Sequence, residues 1–263
     1  MKYNVTVTLQ LLLTNDDGIA SSGIAALRRA VEGLGDVTTL APAEDCSAVA
    51  RSITIDRALR LERTTFGDGY EGLALDGTPS DCVRIALLGV ATPVPDLVVS
   101  GINLGANLGA DVTYSGTVGA ALEAALRGGA GVAVSVESRE PGWLDEAVPL
   151  IRAILRRALE YGVPAHTVLN VNLPDAPATE IRGVRSARLG GASCHDRVTL
   201  VGDCAGEYFV PCDGPAPLRG VDTDFEVVAA GAVAITPLRY DLLDAELLAD
   251  LGAWDLDLTA VRG

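Results

Sequence analysis

The chain alternates short apolar runs with turn residues. Leu9-Gln10-Leu11-Leu12-Leu13 is the first such run, and its length and its bounding Gly predict a strand buried on both faces. It ends in Thr14-Asn15-Asp16-Asp17-Gly18. Apolar positions 24, 27, 30, 31 and 34 then recur at helical spacing, with Ser21 or Ser22 as the cap and Gly33 or Gly35 as the stop. Val37–Pro42 predicts a second strand, so the opening reads as a right-handed strand–helix–strand unit with parallel pairing. Residues 53–75 alternate in short β-like pieces around Gly67-Asp68-Gly69. Thr78, Pro79 and Asp81 open a helix that runs through Leu88. Asp96–Ser100 predicts a strand and Gly101–Asp111 a loop, followed by a helix over Val118–Arg127. Gly131–Val136 and Thr167–Pro174 predict strands on either side of an amphipathic helix over 143–161. From about 181 the pattern shifts to short β pieces at Ile181–Leu189, Arg197–Val201, Glu207–Val210, Asp224–Val228 and Ala232–Pro237, and the last twenty-odd residues read as helical. The expectation is an α/β core over 1–180 with a mainly parallel sheet flanked by helices. Residues 181–263 form a β-rich extension with a C-terminal helix that covers the sheet end or meets a partner subunit.

Two adjacent carboxylates at the carboxyl end of a buried strand are poorly explained by packing. Neighbouring strand residues point to opposite faces, so Asp16 and Asp17 converge only if the chain turns there, which Gly18 permits. Held together, two ionised carboxylates repel and call for a cation. Carboxylate oxygens are hard ligands, so that cation would be Mg²⁺, Mn²⁺ or Ca²⁺. The competing reading is an ordinary Asn-Asp-Asp-Gly polar turn. In open parallel sheets, ligands sit beyond the carboxyl ends of the strands. The loop around Ser47 and the segment Ser100-Gly101-Ile102-Asn103 leave such ends too, which favours the metal. Two carboxylates, a Ser hydroxyl and an Asn amide make an all-oxygen site. Ser115-Gly116-Thr117, at the start of the 118–127 helix, offers free backbone N–H groups and two hydroxyls, an anion site that N-capping by one hydroxyl would only half explain.

Composition narrows the function. The 263 residues, 49% of them hydrophobic, allow one large domain or one domain with an appendage. A net charge of −15 excludes a basic nucleic-acid-binding face. Lys2 is the only lysine, so no phosphate-cradling P-loop is present. An anionic substrate would need local positive charge from a metal, an Arg or a helix N-terminus. Five Cys without a CxxC pair argue against a disulfide framework and for a reducing compartment, and two His leave no zinc cluster. No stretch is apolar enough to span a membrane and the N-terminus does not read as a signal peptide, so the cytoplasm is the expected location.

Several multi-residue motifs appear in order: Leu-Leu-Leu-Thr-Asn-Asp-Asp-Gly, Asp-Gly-Thr-Pro-Ser-Asp-Cys-Val, Ser-Gly-Ile-Asn-Leu-Gly-Ala-Asn-Leu-Gly, Tyr-Ser-Gly-Thr-Val-Gly-Ala-Ala, Thr-Asp-Phe at 223–225 and Ile-Thr-Pro-Leu at 235–238. From about residue 9 to about 243 the chain resembles the SurE family of stationary-phase survival proteins. The resemblance implies a Rossmann-like core and a C-terminal part that bears a β-hairpin and exchanges elements in homodimers or homotetramers. It implies a metal-dependent phosphatase acting on nucleoside 5′- or 3′-monophosphates, with one divalent cation per subunit on Asp16, Asp17, Ser47 and Asn103. The implied substrate contacts are Asn15, Asn107, Ser115, Gly116 and Thr117. Two stretches depart from the family pattern. The loop that usually reads Pro-Asp-Arg-Asn-x-Ser-Gly is Pro42-Ala43-Glu44-Asp45-Cys46-Ser47-Ala48 here, which leaves phosphate charge to the metal and Arg51. Ala-Pro-Gly after the acidic turn is Ser21-Ser22-Gly23.

The leading reading is phosphate monoester hydrolysis, with one of Asp16 and Asp17 holding the metal and the other orienting, deprotonating or replacing the attacking water. Asn107 and the N–H groups of Gly116 and Thr117 would offset charge on the equatorial oxygens. A binding protein that senses nucleotide or phosphate is the alternative, motivated by the altered 42–52 loop. An aspartyl-phosphate phosphatase of another fold lacks its Asp-x-Asp spacing, and Cys194-His195-Asp196 is too close in sequence to meet as a nucleophile and base.

Overall fold

The computed structural model describes residues 8–66, 69–191, 194–196, 199–200, 208–209, 212–215, 220–251 and 254. Strand β1 (Gln10–Thr14) is the first central element, and Leu11, Leu12 and Leu13 are buried on both of its faces. Helix α1 (Ser22–Val31) begins where Ser21 accepts a hydrogen bond from the Ile24 N–H, and it buries Ile24, Leu27 and Val31. Each of those side chains contributes about 1.5–3 kcal/mol by leaving water. Strand β2 (Asp36–Pro42) returns parallel to β1. The alternation over 53–75 resolves into the antiparallel pair β3 (Leu61–Thr65) and β4 (Glu71–Leu75), with part of the intervening turn outside the described residues.

Helix α2 (Pro79–Ile85) carries the anticipated start. The Thr78 side chain accepts the Asp81 N–H and Asp81 reaches back to the Thr78 N–H. It gives way to a wider turn at Ala86–Val90, where Gly89 has a φ of 111°, so it is shorter than the apolar pattern suggested. Strand β5 runs Leu97–Leu104, through residues 101–104 that were expected in a loop; pairing with its neighbour overrides their Gly and Asn content. Helix α3 (Gly116–Leu126), strand β6 (Ala130–Val136), helix α4 (Leu144–Tyr161) and strand β7 (Thr167–Leu173) follow as anticipated.

Beyond them lie β8 (Val184–Ser186), β9 (Cys194–Asp196), β10 (Thr199–Leu200), β11 (Tyr208–Phe209), β12 (Cys212–Pro215), helix α5 (Asp224–Ala229), β13 (Val233–Arg239) and helix α6 (Ala245–Leu251). Asp224–Val228 is thus helical rather than β. Thr223 caps it by accepting the Glu226 N–H, a signal that outweighs the β propensity of Val227 and Val228. Parts of the segments expected as β pieces at 197–201 and 207–210 lie outside the described residues.

One open sheet in the order β3-β4-β2-β1-β5-β6-β7-β13-β8 forms the body, mainly parallel, with β3 and β13 antiparallel to their inner neighbours. Helices α1 and α4 bury one face against a cluster that includes Leu11, Leu13, Val99, Val132 and Ile151; α2 and α3 cover the other through Leu12, Leu40, Val98 and Ala120. This is the Rossmann-like α/β arrangement expected. No helix among the described residues is long and apolar enough to cross a membrane.

Candidate active site

The carboxyl ends of β1, β2 and β5 meet the N-terminus of α3, and Asp16 is where they are joined. The Thr117 N–H donates to Asp16 Oδ2 at 3.0 Å, and the Thr117 hydroxyl donates to Asp16 Oδ1. Gly116 makes this approach possible: a β-carbon there would lie 2.8 Å from Asp16 Cβ and 3.0 Å from Oδ2. On the other side the Cys46 N–H donates to the Asp16 carbonyl at 2.7 Å, which ties down the loop after β2. Asp17 faces β5, where the Leu104 N–H reaches its Oδ2 at 3.4 Å. Asn103 precedes that amide, and its side-chain N–H₂ donates to Gly105 O at 2.6 Å, which leaves its carbonyl oxygen as the acceptor.

Three loops and one helix end thus come together around two carboxylates. Burial pushes the Asp16 carboxyl above its ordinary value, against the pull of the Thr117 hydrogen bonds. Burial, and then the adjacent Asp16, push Asp17 up to about 6. A cation between them would offset that burial by favouring the ionised form of both acids. Asn15 Oδ1 and Ser100 Oγ, buried beside them, have no hydrogen-bond partner. Among the described residues no group of three or more His, Cys, Asp or Glu side chains is arranged to hold a metal. The charged donors that a hard divalent ion would meet here are therefore two carboxylates, with neutral oxygens to complete its shell. Ser47 is exposed, and its hydroxyl donates to Asp45 Oδ1 at 2.7 Å, which leaves its lone pairs available.

Asn15, Asn107, Ser115 and Thr117, the side chains expected at the substrate, also have partners within the protein. Asn15 donates its amide hydrogens to Gly18 O at 2.9 Å and Ser21 Oγ at 2.8 Å, which shapes the acidic turn and leaves its carbonyl oxygen without a partner. Asn107 is buried. Its side chain donates to Ser135 Oγ at 2.8 Å, its N–H to Asn172 Oδ1 at 2.8 Å, and its carbonyl accepts from Asn170 and Asn172. Its backbone groups are satisfied within the protein, as a loop crossing the sheet end requires. Ser115 caps α3 by accepting the Val118 N–H, and Thr117 serves Asp16, so both hydroxyls have protein partners.

Two residues of the site were not singled out from sequence. Asp45, whose neighbour Cys46 bonds Asp16, adds its charge to both carboxylates and raises them further. Arg139, just beyond β6, is the cation that acts on Asp17 in the opposite sense. The signal for Arg139 was available: it too leaves the carboxyl end of a parallel strand. Burial, helped by Asp45, raises the Cys46 thiol, so Cys46 is not an activated nucleophile. His166, in the turn just before β7, has its Nδ1 2.9 Å from Ala125 O, a structural contact. The side chains of Cys194, His195 and Asp196 lie outside the described residues.

The family described as Survival protein SurE matches residues 11–196. A 5′-nucleotidase SurE of Methylococcus capsulatus is 41% identical over 248 residues, covering 94% of this chain and 97% of the relative. The 5′-nucleotidase SurE of Azotobacter vinelandii is 43% identical over 252 residues, covering 95% of this chain and all of the relative. The crystal structure of the SurE protein from Aquifex aeolicus superposes with a TM-score of 0.80 at 35% identity, over 93% of this chain and 98% of that one. With its acidic turn, its three-loop cleft and these relatives over nearly its whole length, the chain belongs to the SurE family.

Proposed function

We propose that this protein is a phosphoric monoester hydrolase that converts nucleoside 5′-monophosphates, and 3′-monophosphates in the same cleft, to nucleoside and phosphate. The observation that carries the reading is the joining of β1, β2, β5 and α3 at Asp16 and Asp17. The 5′-nucleotidase relatives support the substrate class. One divalent cation, Mg²⁺ or Mn²⁺, is assigned to Asp16, Asp17, Asn103 and Ser47; when bound, it supplies charge at the phosphoryl oxygens and a more acidic water. Asp16, held on two sides by Thr117, is the fixed ligand. Asp17 has a single long hydrogen bond, so its free oxygen is the one placed to take the proton of an attacking water or to attack phosphorus itself. Arg139 supplies local positive charge in a chain whose overall field repels anions.

The cytoplasm and a homodimer or homotetramer formed through residues 181–263 belong to the same reading. Free Cys46 and Cys82 support the first, and the exposed leucines of α6 the second. The test is a phosphate-release screen over all nucleoside 5′- and 3′-monophosphates, sugar phosphates and polyphosphate, with Mg²⁺, Mn²⁺ and Ca²⁺ in turn. The folded Asp17→Asn protein is expected to lose nearly all release. Unchanged turnover in that variant sinks the mechanism. Nucleotide binding by calorimetry, without release under any cation, favours a sensor.

A further inference from the structure

The mechanism leaves unused a carboxylate that is fully buried in the C-terminal part. Asp224 is 0% exposed. Its Oδ2 accepts the Gly109 N–H at 2.8 Å, and its Oδ1 accepts the Gly190 N–H at 2.8 Å and the Phe225 N–H at 3.1 Å. Burying an ionisable group is costly unless something needs its charge-assisted bonds. Here those bonds join segments 115 and 34 residues away. The approach is close on every side. A β-carbon on Gly109, whose φ is 51°, would collide with Gly191 O and Phe225, and one on Gly190 would collide with Phe225. Ala110 N–H adds a bond to Gly191 O at 3.0 Å.

Gly109 begins the short 3₁₀ turn Gly109–Thr113, and both the Tyr114 and the Ser115 N–H groups donate to Asp111 O, at 2.9 and 3.1 Å. Ser115 is the cap of α3, and Thr117 grips Asp16. Hydrogen bonds joined by two-residue stretches of backbone therefore connect Asp224 to the catalytic turn. Asn170 and Asn172 hold the opposite flank of the same loop through Asn107.

We propose that Asp224 is a positioning residue for the phosphate side of the cleft, holding the 105–113 loop so that Ser115, Gly116 and Thr117 meet Asp16. This rests on reading the cleft as a phosphomonoesterase site. Asn at 224 has only one acceptor oxygen and turns an N–H₂ toward the other amide, so it breaks one arm of the clamp with almost no change in volume.

The experiment compares the intact chain with its Asp224→Asn variant by hydrogen exchange, by calorimetric titration with Mn²⁺ alone, and by titration with inorganic phosphate in Mn²⁺. Exchange at the 105–117 amides is expected to rise by about tenfold or more, because their protection depends on local closure. Phosphate affinity is expected to fall between about tenfold and a hundredfold, the scale of a misplacement near 1 Å. Mn²⁺ affinity is expected to fall by clearly less than phosphate affinity, because only Asp16 among the assigned ligands is held by the 115–117 segment, through Thr117, while Asp17 and Asn103 lie on the β5 side. A variant that melts earlier but binds phosphate as the wild type does overturns the proposal and leaves Asp224 a structural residue. Equal losses of Mn²⁺ and phosphate affinity overturn it too, because the defect is then global. Should the wild type bind no phosphate, the phosphomonoesterase reading fails by itself, and exchange at 114–118 still decides whether Asp224 positions that segment. If Asp224→Asn does not fold, Asp224→Ser, which keeps one acceptor, is measured in its place.

Discussion

Asp16 and Asp17 are neighbours with unequal surroundings. Asp16 is braced by a backbone amide and a hydroxyl of Thr117, whereas Asp17 has one long bond to Leu104. Thr117→Val removes the hydroxyl and keeps the shape. It is expected to destabilise the cation-free protein by about 1.5–3 kcal/mol, the range for a hydrogen bond to a charged group, read by denaturant unfolding in chelator. An unfolding midpoint unchanged from wild type would mean that this bond does not form in solution. A second residue-scale expectation comes from the loop after β2. Ala48 has a φ of 57°, in the left-handed region where the family pattern places Gly. Ala48→Gly should therefore stabilise the protein by about 1 kcal/mol and leave phosphate release intact. The adjacency of the two acids was legible in sequence. The imbalance between them was not, because it is made by Thr117 and Leu104, roughly a hundred residues downstream.

At the scale of elements, the cleft depends on how closely α1 and α3 approach the ends of the strands. A β-carbon on Gly23, in the first turn of α1, would fall on the carbonyl oxygen of Ile102, the residue before Asn103. Since backbone cannot swing aside as a side chain can, Gly23→Ala is expected to cost about 1–3 kcal/mol and to push Asn103 away from Asp17. The check is a lowered melting temperature together with weakened Mn²⁺ binding; normal Mn²⁺ affinity would show that β5 had absorbed the shift elsewhere. Gly23 is also where the family pattern is altered just upstream, to Ser21-Ser22, and the structure accounts for one of those residues: Ser21 caps α1 and accepts from Asn15. Helix periodicity and caps foretold α1, α2 and α4 well, because those signals are local. The helical 224–229 segment and the strand at 101–104 were misread, since a weak local preference gave way to a cap in one case and to pairing with β6 in the other.

For the whole molecule, a cation that binds the folded cleft and not the unfolded chain stabilises by mass action. Free Mn²⁺ at a hundred times its dissociation constant should add about 2.7 kcal/mol, and Asp17→Asn should abolish the gain. A melting temperature indifferent to Mg²⁺, Mn²⁺ and Ca²⁺ would leave the carboxylates without their proposed ligand. Helix α6 has no buried residue, and Leu242, Leu243, Leu247 and Leu248 are 93%, 60%, 48% and 54% exposed. So much apolar surface in one short segment calls for a partner. Light scattering is expected to show a dimer or tetramer for the intact chain and a monomer for a chain ending at Tyr240; an intact monomer would refute the assembly. The order of strands and helices from β1 to β7, the buried character of β1 and the acidic turn at its end follow from the sequence alone, because apolar spacing, caps and turn residues act over a few positions. Which side chains enter the cleft was decided by tertiary structure. Asn15, Asn107 and Ser115 carry the right groups at the right places in the chain, and only folding supplies the partners that orient them: Ser21 Oγ, Ser135 Oγ and the Val118 N–H. Asp45 follows β2, on one side of β1, and Arg139 follows β6, beyond β5 on the other, so it is the order of strands in the folded sheet that sets both charges around Asp17.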